Sequence, residues 1–161
     1  MAETLEFTAN ADRETLYNEI RPQIEALLSG ESDLIANLAN IAAVLKEAFG
    51  FFWVGFYFVK DGQLVLGPFQ GPLACTRIDF NQGVCGHAYT ARQTIIVANV
   101  DEFPGHITCA TASKSEIVVP IFDRDGAVFG VLDVDSDKLD DFSQIDADGL
   151  GKIVSVIEGI I

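Results

Sequence analysis

The chain has 161 residues, of which 49% are hydrophobic, and it carries a formal net charge of −14 at pH 7. This length and hydrophobic content are typical of one folded domain with a substantial core, and they argue against a disordered chain. The excess of carboxylates argues against a nucleic-acid partner, because binding to phosphates needs a basic surface. The acidic, polar N-terminus lacks the features of a signal peptide, and the apolar runs are too short to span a membrane. We therefore expect a cytoplasmic protein that does not act on a membrane.

Helices are predicted at both ends of the chain. Between Asp12 and Gly30 the apolar residues are spaced as on one face of a helix: Tyr17, Ile20, Ile24 and Leu27. A second helix is predicted from about Ser32, as its N-cap, to Phe49, and Gly50 ends it. A last amphipathic helix is predicted from the spacing of Ile145, Leu150, Ile153, Val154 and Ile157.

The segments between these helices favour an antiparallel sheet. FFWVGFYFVK and QLVLGPF flank an Asp61-Gly62 turn, and EIVVPIF and AVFGVLDVDSD flank Asp125-Gly126. Between the two hairpins lie a short helix candidate, VCGHAYTARQ, a strand, TIIVANV, and a long loop. The prediction is an α+β fold with a central antiparallel sheet, terminal helices packed on one face, and loops that cover a ligand pocket on the other.

Alternation along the first strand separates a core face from a second face. Phe52, Val54, Phe56 and Phe58 point to the core, whereas Trp53, Gly55 and Tyr57 point the other way. A glycine between two aromatic side chains leaves a gap walled by rings, which suits a small ligand. Spacing alone favours equally an aromatic stripe that packs on a helix.

Three carboxylates leave the core side of strands that are otherwise apolar. Asp133 and Asp135 alternate with Leu132 and Val134, and Glu116 is out of phase with the apolar residues that follow it, Ile117, Val119 and Ile121. A solvated strand end is the alternative, and it suits Asp135 better than Asp133. If all three line one pocket, their repulsion raises at least one pKa, which provides a proton donor near neutral pH and a site for an ammonium group.

The three cysteines allow three interpretations. Cys85 and His87, together with His106 and Cys109, offer a zinc ligand set, although the gap between the first two is shorter than in structural zinc sites. Inert packing is the second interpretation, and Cys85 in the apolar sequence GVCGHA fits it best.

Redox chemistry is the third interpretation. Cys109 lies in a long loop with His106 and Lys114, which can stabilise a thiolate, and Cys75 lies in another loop beside Arg77. Two loop cysteines with cationic neighbours suggest a nucleophile and a resolving partner. The sequence does not establish that the two meet.

Six motifs together resemble the free methionine-(R)-sulfoxide reductases, stand-alone enzymes of the GAF fold. They are FWVGFY, QGPLACTRI, GVCGHA, FPGHITC, SEIVVPI and GVLDVDS, and the resemblance runs from about Ile35 to the C-terminus. It implies one GAF-like domain over residues 1–161, with an N-terminal helix in 1–31 and the core in 32–161. The implied role is the repair of oxidised free methionine under oxidative stress.

The resemblance also implies a mechanism. Cys109 matches the catalytic cysteine, which attacks the sulfoxide sulfur and becomes a sulfenic acid. Cys75 matches the resolving cysteine, which forms a disulfide with Cys109 that thioredoxin reduces. Cys85 matches a third family cysteine, an alternative resolving thiol.

The same resemblance assigns the substrate-binding residues. Trp53 and Tyr57 hold the methyl sulfoxide, while Glu116, Asp133 and Asp135 bind the substrate ammonium and protonate the sulfoxide oxygen. No metal and no cofactor are implied, and a homodimer is compatible with the sequence.

Two residues depart from the family pattern, which often has aspartate at the position of Ala110 and a small hydroxylated residue at that of His87. These differences concern the tuning of Cys109 and local loop contacts. The alternative function is a non-catalytic GAF module that senses or binds a small molecule. Such a sensor would carry an output domain, which we do not expect here.

Overall fold

The computed structural model describes residues 4–109 and 111–161, so Ala110 lies outside the described residues. The helices are α1 (Arg13–Ser29), α2 (Leu34–Phe49), α3 (Gly83–Ala91) and α4 (Gln144–Glu158). The strands are β1 (Trp53–Lys60), β2 (Gln63–Gln70), β3 (Arg77–Ile78), β4 (Ile95–Val97), β5 (Ser115–Phe122) and β6 (Val128–Ser136). A short 3-10 helix at Val100–Glu102 follows β4.

The six strands form one sheet in the order β3-β2-β1-β6-β5-β4, and each described pair of neighbours is antiparallel. Both predicted hairpins are present, β1–β2 and β5–β6. Gly62 and Gly126 each have a φ of 78°, a left-handed conformation that glycine adopts without steric cost. The prediction of an α+β fold with a central antiparallel sheet is confirmed.

Three helices, α1, α2 and α4, pack on one face of the sheet and form its main core. Val54 and Phe56 of β1, together with Leu132 and Val134 of β6, point into this core and are fully buried. Ile117 of β5 joins them. The alternation in the sequence therefore identified the core face of all three central strands.

The opposite face is covered differently from the prediction. Helix α3 covers this face together with the predicted loops. Its residues Val84, Cys85 and Ala88 belong to a second apolar cluster, which also contains Trp53 and Tyr57 of β1. The short helix buries its own apolar side there, so a helix closes one wall of this face.

Three local predictions were wrong. Phe52 precedes β1 and packs with the second cluster rather than the main core, because the strand alternation begins only at Trp53. Asp33, not Ser32, caps α2, and its side chain accepts a hydrogen bond from the Ala36 backbone N–H at 2.9 Å. Ile145 is 47% exposed, since Asp146 occupies the buried side of the first turn of α4.

Within the described part of the chain, none of the helices combines the length and the apolar character that crossing a membrane requires.

Candidate active site

A cavity lies on the second face of the sheet, over three neighbouring strands. The register of the strands aligns the candidate residues across it: Trp53 of β1 pairs with Asp135 of β6, which in turn pairs with Glu116 of β5. Asp133 lies in the next row on the same face, opposite Gly55. These alternating positions bring the three predicted carboxylates and Trp53 to one cavity wall.

Aromatic side chains of β1 form part of the same wall. Trp53 and Tyr57 are each 2% exposed, line the cavity, and have ring centroids 6.0 Å apart. The predicted gap above Gly55 is absent from this part of the structure. A Cβ at Gly55 would lie 2.6 Å from the Trp53 ring and 2.4 Å from Cβ of Phe69. The glycine therefore makes room for Trp53 to stack on Phe69, at a centroid distance of 5.3 Å, and the ligand space lies beyond the indole.

All three carboxyl groups have raised pKa values. Burial is the main cause for Glu116 and for Asp133, and repulsion by neighbouring carboxylates adds to it, so both pKa values lie well above their usual range. Burial raises the pKa of Asp135 to about 6, against the opposing effect of a hydrogen bond from Ser113. The predicted shift is present, but its largest cause is loss of solvent rather than repulsion.

The carboxylates differ in their hydrogen bonding. The Ser113 hydroxyl donates to Oδ1 of Asp135 at 2.5 Å. Among the described residues, Oδ1 of Asp133 is buried and has no hydrogen-bond partner. A buried, unpartnered acceptor is costly unless a ligand supplies a donor. A bound molecule that donates a hydrogen bond would satisfy Oδ1 of Asp133.

Two of the three cysteines are joined. Cys75 and Cys109 form a disulfide with a Cα–Cα distance of 5.2 Å. Cys109 is among the residues that line the cavity, and Cys75, which is half-buried, packs against the second apolar cluster. Cys85 is a free, buried thiol in the cavity wall. Burial, and then the nearby carboxylates of Asp133 and Glu116, raise the pKa of Cys85 well above its usual range.

The aromatic wall also anchors the loop that carries Cys75. The indole N–H of Trp53 donates to the Pro72 carbonyl at 3.1 Å, and the Tyr57 hydroxyl donates to the Cys75 carbonyl at 2.9 Å. Both polar groups of the rings are therefore used to position the loop. The sequence showed the rings and the cysteine but gave no sign of these contacts, which join residues 18 and 19 positions apart.

The four ligands of the zinc interpretation do not share one site. His87 is exposed on α3 and its ring contacts Phe103, at a centroid distance of 5.6 Å. His106 does line the cavity, where burial lowers its pKa although Asp101 opposes the shift. The lowered pKa makes the His106 imidazole a poorer source of the positive charge that the sequence suggested for stabilising a Cys109 thiolate.

The residues close enough to hold a metal ion, as far as the chain is described, are Cys85, Glu116 and Asp133, whose ligand atoms lie within 4.8 Å of one another. This set was not among those considered from the sequence. All three residues line the cavity, and one of them, Asp133, has the unpartnered oxygen Oδ1. A bound cation, whether metallic or ammonium, would satisfy that oxygen.

The unfolding free energy of the substrate-free protein is expected to fall as the pH rises from about 4 to about 6. The pKa of Asp135 is higher in the folded protein than in the unfolded chain. Its contribution to the unfolding free energy is therefore fully present below the pKa of the unfolded chain and is lost as the pH rises through about 6. The unfolding free energy lost through Asp135 is at most about 3 kcal/mol, since a pKa difference of one corresponds to about 1.4 kcal/mol.

Urea unfolding at pH values between 4 and 7.5, monitored by Trp53 fluorescence, measures this dependence. Asp135→Asn is expected to make the fall between about pH 4 and 6 less steep, since Glu116 and Asp133 with their own raised pKa values still contribute to it, whereas Asp137→Asn, at an exposed position, should leave the curve unchanged. An Asp135→Asn curve that matches the wild type would contradict the assignment.

The family comparisons agree with this geometry. A model of the GAF-domain family matches residues 30–161. The chain is 54% identical to GAF domain-containing protein A of Dictyostelium discoideum, over 98% of this chain and 99% of that protein. It is 41% identical to the free methionine-R-sulfoxide reductase of Escherichia coli (strain K12), over 90% of this chain and 88% of that protein.

A solved structure is similar over nearly the whole fold. The X-ray structure of free methionine-R-sulfoxide reductase from Neisseria meningitidis, in complex with its substrate, superposes with a TM-score of 0.94. The two chains are 53% identical, and the match covers 98% of this chain and 94% of that chain. The chain thus belongs to the GAF-domain family and, within that family, to the free methionine-R-sulfoxide reductases.

Proposed function

We propose that the protein reduces free L-methionine-(R)-sulfoxide to methionine, with Cys109 as the nucleophile. One observation carries the proposal: Cys109 lines the same cavity as Trp53 and the three carboxyl groups, of which those of Glu116 and Asp133 are buried. The similar proteins from E. coli and N. meningitidis are named for this activity. A thiol, an apolar ring and carboxyl groups match three groups of the substrate, which are its sulfur, its methyl group and its ammonium.

Substrate recognition depends on the carboxyl groups. The ammonium of a free amino acid donates to the unpartnered oxygen of Asp133 and to the nearby carboxylates of Glu116 and Asp135. In a peptide the same nitrogen is a neutral amide and brings further chain that the enclosed site must accommodate. The carboxylates would then remain buried without a counter-charge, so the site rejects peptide-bound substrate. Trp53 provides the apolar surface for the methyl group.

The first chemical step combines attack and protonation. The Cys109 thiolate attacks the sulfoxide sulfur while a protonated carboxyl group gives its proton to the sulfoxide oxygen. The raised pKa values of Glu116, Asp133 and Asp135 keep part of this carboxyl population protonated near neutral pH. The protonated oxygen is then transferred as hydroxyl from the substrate sulfur to the Cys109 sulfur, and the new bond between the two sulfurs breaks. Cys109 is left as a sulfenic acid, and methionine leaves as the reduced thioether.

The second step forms the disulfide. The Cys75 thiolate attacks the sulfenic acid sulfur of Cys109, and the oxygen leaves as water. The overall balance is one sulfoxide and two thiols converted to one thioether, one disulfide and water. Thioredoxin, itself a dithiol, then reduces the disulfide and restores both thiols.

Cys75, rather than Cys85, is the resolving residue in this proposal. The Cα–Cα distance of 5.2 Å between Cys75 and Cys109 supports direct bonding in this conformation. The raised pKa of Cys85 disfavours its thiolate, which is the reactive form. Its thiol lies 4.0 Å from Oε1 of Glu116 and acts as a weak hydrogen-bond donor to the carboxylate.

The direct test is turnover with a thioredoxin system, measured as NADPH oxidation. We expect the R epimer of free methionine sulfoxide to be reduced, and both the S epimer and a peptide-bound R sulfoxide to react far more slowly. Absence of turnover of the free R epimer, or equal turnover of the peptide, would contradict the proposal. Non-reducing peptide mapping after one equivalent of substrate should recover the Cys75–Cys109 disulfide.

A further inference from the structure

The loop between β2 and β3 carries an exposed apolar side chain close in sequence to a cysteine of the disulfide. Leu73 is 88% exposed, the highest value among the exposed large hydrophobic residues. It lies two positions before Cys75 in the chain. A single exposed leucine is common on protein surfaces and indicates no function by itself. Its position and the way it is held are what distinguish it.

The backbone on both sides of Leu73 is fixed by the pocket. The Pro72 carbonyl accepts from the indole N–H of Trp53, and the Cys75 carbonyl accepts from the Tyr57 hydroxyl. Ala74 lines the cavity while Leu73 points away from it. The backbone on either side of Leu73 is therefore held by two hydrogen bonds from buried rings, so presenting this exposed side chain to a partner costs little loop entropy.

The charge around the disulfide differs from that of the whole protein. The chain contains 24 acidic residues, but none lies in segments 71–78 or 103–115, which carry the two cysteines. The lysine and arginine residues of these two segments are Arg77 and Lys114, and both are exposed. A partner with acidic side chains around its reactive group would meet less repulsion here than elsewhere on a protein of charge −14.

We infer that Leu73 is the apolar anchor on which a dithiol protein of the thioredoxin type docks to reduce the Cys75–Cys109 disulfide, with Arg77 and Lys114 attracting its acidic side chains. This inference rests on the proposed function, since it names the contact surface of the proposed reductant. In the reaction, one thiolate of the partner attacks a disulfide sulfur and forms a mixed disulfide. The second partner thiol then displaces the enzyme. The partner becomes a disulfide, and Cys75 and Cys109 both become thiols.

The experiment compares a protein reductant with a small one. Leu73→Ser is assayed with free methionine-(R)-sulfoxide, once with thioredoxin and once with dithiothreitol, which is too small to need a docking surface. The matched control is Ile35→Ser, which removes a 54% exposed residue from α2, a helix on the opposite face of the sheet. Leu73→Met restores an apolar side chain of similar size.

Leu73→Ser is expected to lower kcat/KM for thioredoxin about tenfold, since burial of a leucine side chain is worth more than the 1.4 kcal/mol that a factor of ten represents. Dithiothreitol-supported turnover and the yield of methionine in a single turnover should not change. Ile35→Ser should behave as the wild type, and Leu73→Met should recover most of the loss. Added salt should lower the wild-type value for thioredoxin but not that of Arg77→Gln/Lys114→Gln.

Three results would overturn the inference. The first is an unchanged kcat/KM for thioredoxin in Leu73→Ser. The second is an equal loss with both reductants, which would mean that Leu73 acts on the loop itself. The third is a loss of dimer on sedimentation of Leu73→Ser, which would make a second copy of the chain the partner of this surface. Failure of the proposed function is distinct, because the wild type would then make no methionine even in a single turnover.

Discussion

Replacement of Cys109 with serine is expected to abolish reduction of free methionine-(R)-sulfoxide, with a loss of at least about 10³-fold in kcat/KM. Cys109 is the cysteine of the disulfide that lines the cavity, and a serine hydroxyl is not ionised near neutral pH. The loss should be the same with thioredoxin and with dithiothreitol, and no methionine should form in a single turnover. Chromatographic measurement of methionine separates this result from a recycling defect.

The other two cysteines provide the internal controls. Cys75→Ser is expected to form about one methionine per enzyme and then to stop with thioredoxin, because the sulfenic acid has lost its resolving partner. Cys85→Ser should keep thioredoxin-supported turnover within about threefold of the wild type, as a buried thiol with a raised pKa is not used for resolution.

The prediction fails if Cys109→Ser still gives one methionine per enzyme. It also fails in its second part if Cys75→Ser turns over normally with thioredoxin. In that case peptide mapping would be expected to recover a Cys85–Cys109 disulfide. The three variants therefore identify the nucleophile, the resolving cysteine and the uninvolved cysteine by their methionine yields with thioredoxin, which are none, about one per enzyme, and continued turnover.

The sequence predicted the faces of the central strands because a strand alternates with a period of two. Leu132 and Val134 point to the core, so the sequence alone could place Asp133, which lies between them, on the opposite face, where it lines the cavity. The same rule failed at Phe52, which lies before the strand and does not follow its alternation. The alternation of apolar and polar residues predicts the direction of a side chain only where the backbone is a regular strand.

Contacts between distant segments were not predictable from pattern. Phe69 fills the space above Gly55 because the β1–β2 register places the two residues opposite each other. The hydrogen bond from Tyr57 to the Cys75 carbonyl depends on the path of a loop, for which the sequence has no periodic signal. These two contacts decide where the ligand space lies and how the disulfide is held.

The electrostatics of the site were predicted in direction but not in cause. From the sequence, repulsion among three carboxylates was expected to raise a pKa. In the folded protein burial is the larger effect for Glu116 and Asp133, and it is the effect that raises the pKa of Asp135. Burial arises from α3 and the cysteine-bearing loops, and the sequence pattern did not locate α3 on this face.

Asp133→Asn is expected to lower kcat/KM for free methionine-(R)-sulfoxide about 10²- to 10³-fold, mainly through KM. Asp133 is 6% exposed, and its Oδ1 has no partner within the described residues. The amide has nearly the same shape but lacks the charge that would pair with the substrate ammonium, and removal of one partner of a buried ion pair costs about 3–5 kcal/mol. Asp137→Asn, at an exposed position on the same segment, serves as the matched control and should not change KM.

A substrate analogue tests the pairing itself. The methyl sulfoxide in which hydrogen replaces the amino group has no ammonium, so the wild type should bind it weakly. Asp133→Asn should then cause little further loss with this analogue, because the interaction removed from the protein is already missing from the ligand. An equal loss with both substrates would contradict ammonium binding and would instead assign Asp133 to protonation of the sulfoxide oxygen.

Stability should change in the opposite direction from activity. The raised pKa of Asp133 means that its ionised form is disfavoured in the folded protein, so its contribution to stability is lost as the pH rises through that value. Asp133→Asn removes this cost, and its melting temperature at pH 7.5 is expected to exceed that of the wild type without substrate. A variant that is more stable yet binds substrate poorly would show that the buried charge is kept for the ligand. Lower stability together with unchanged KM would contradict that conclusion.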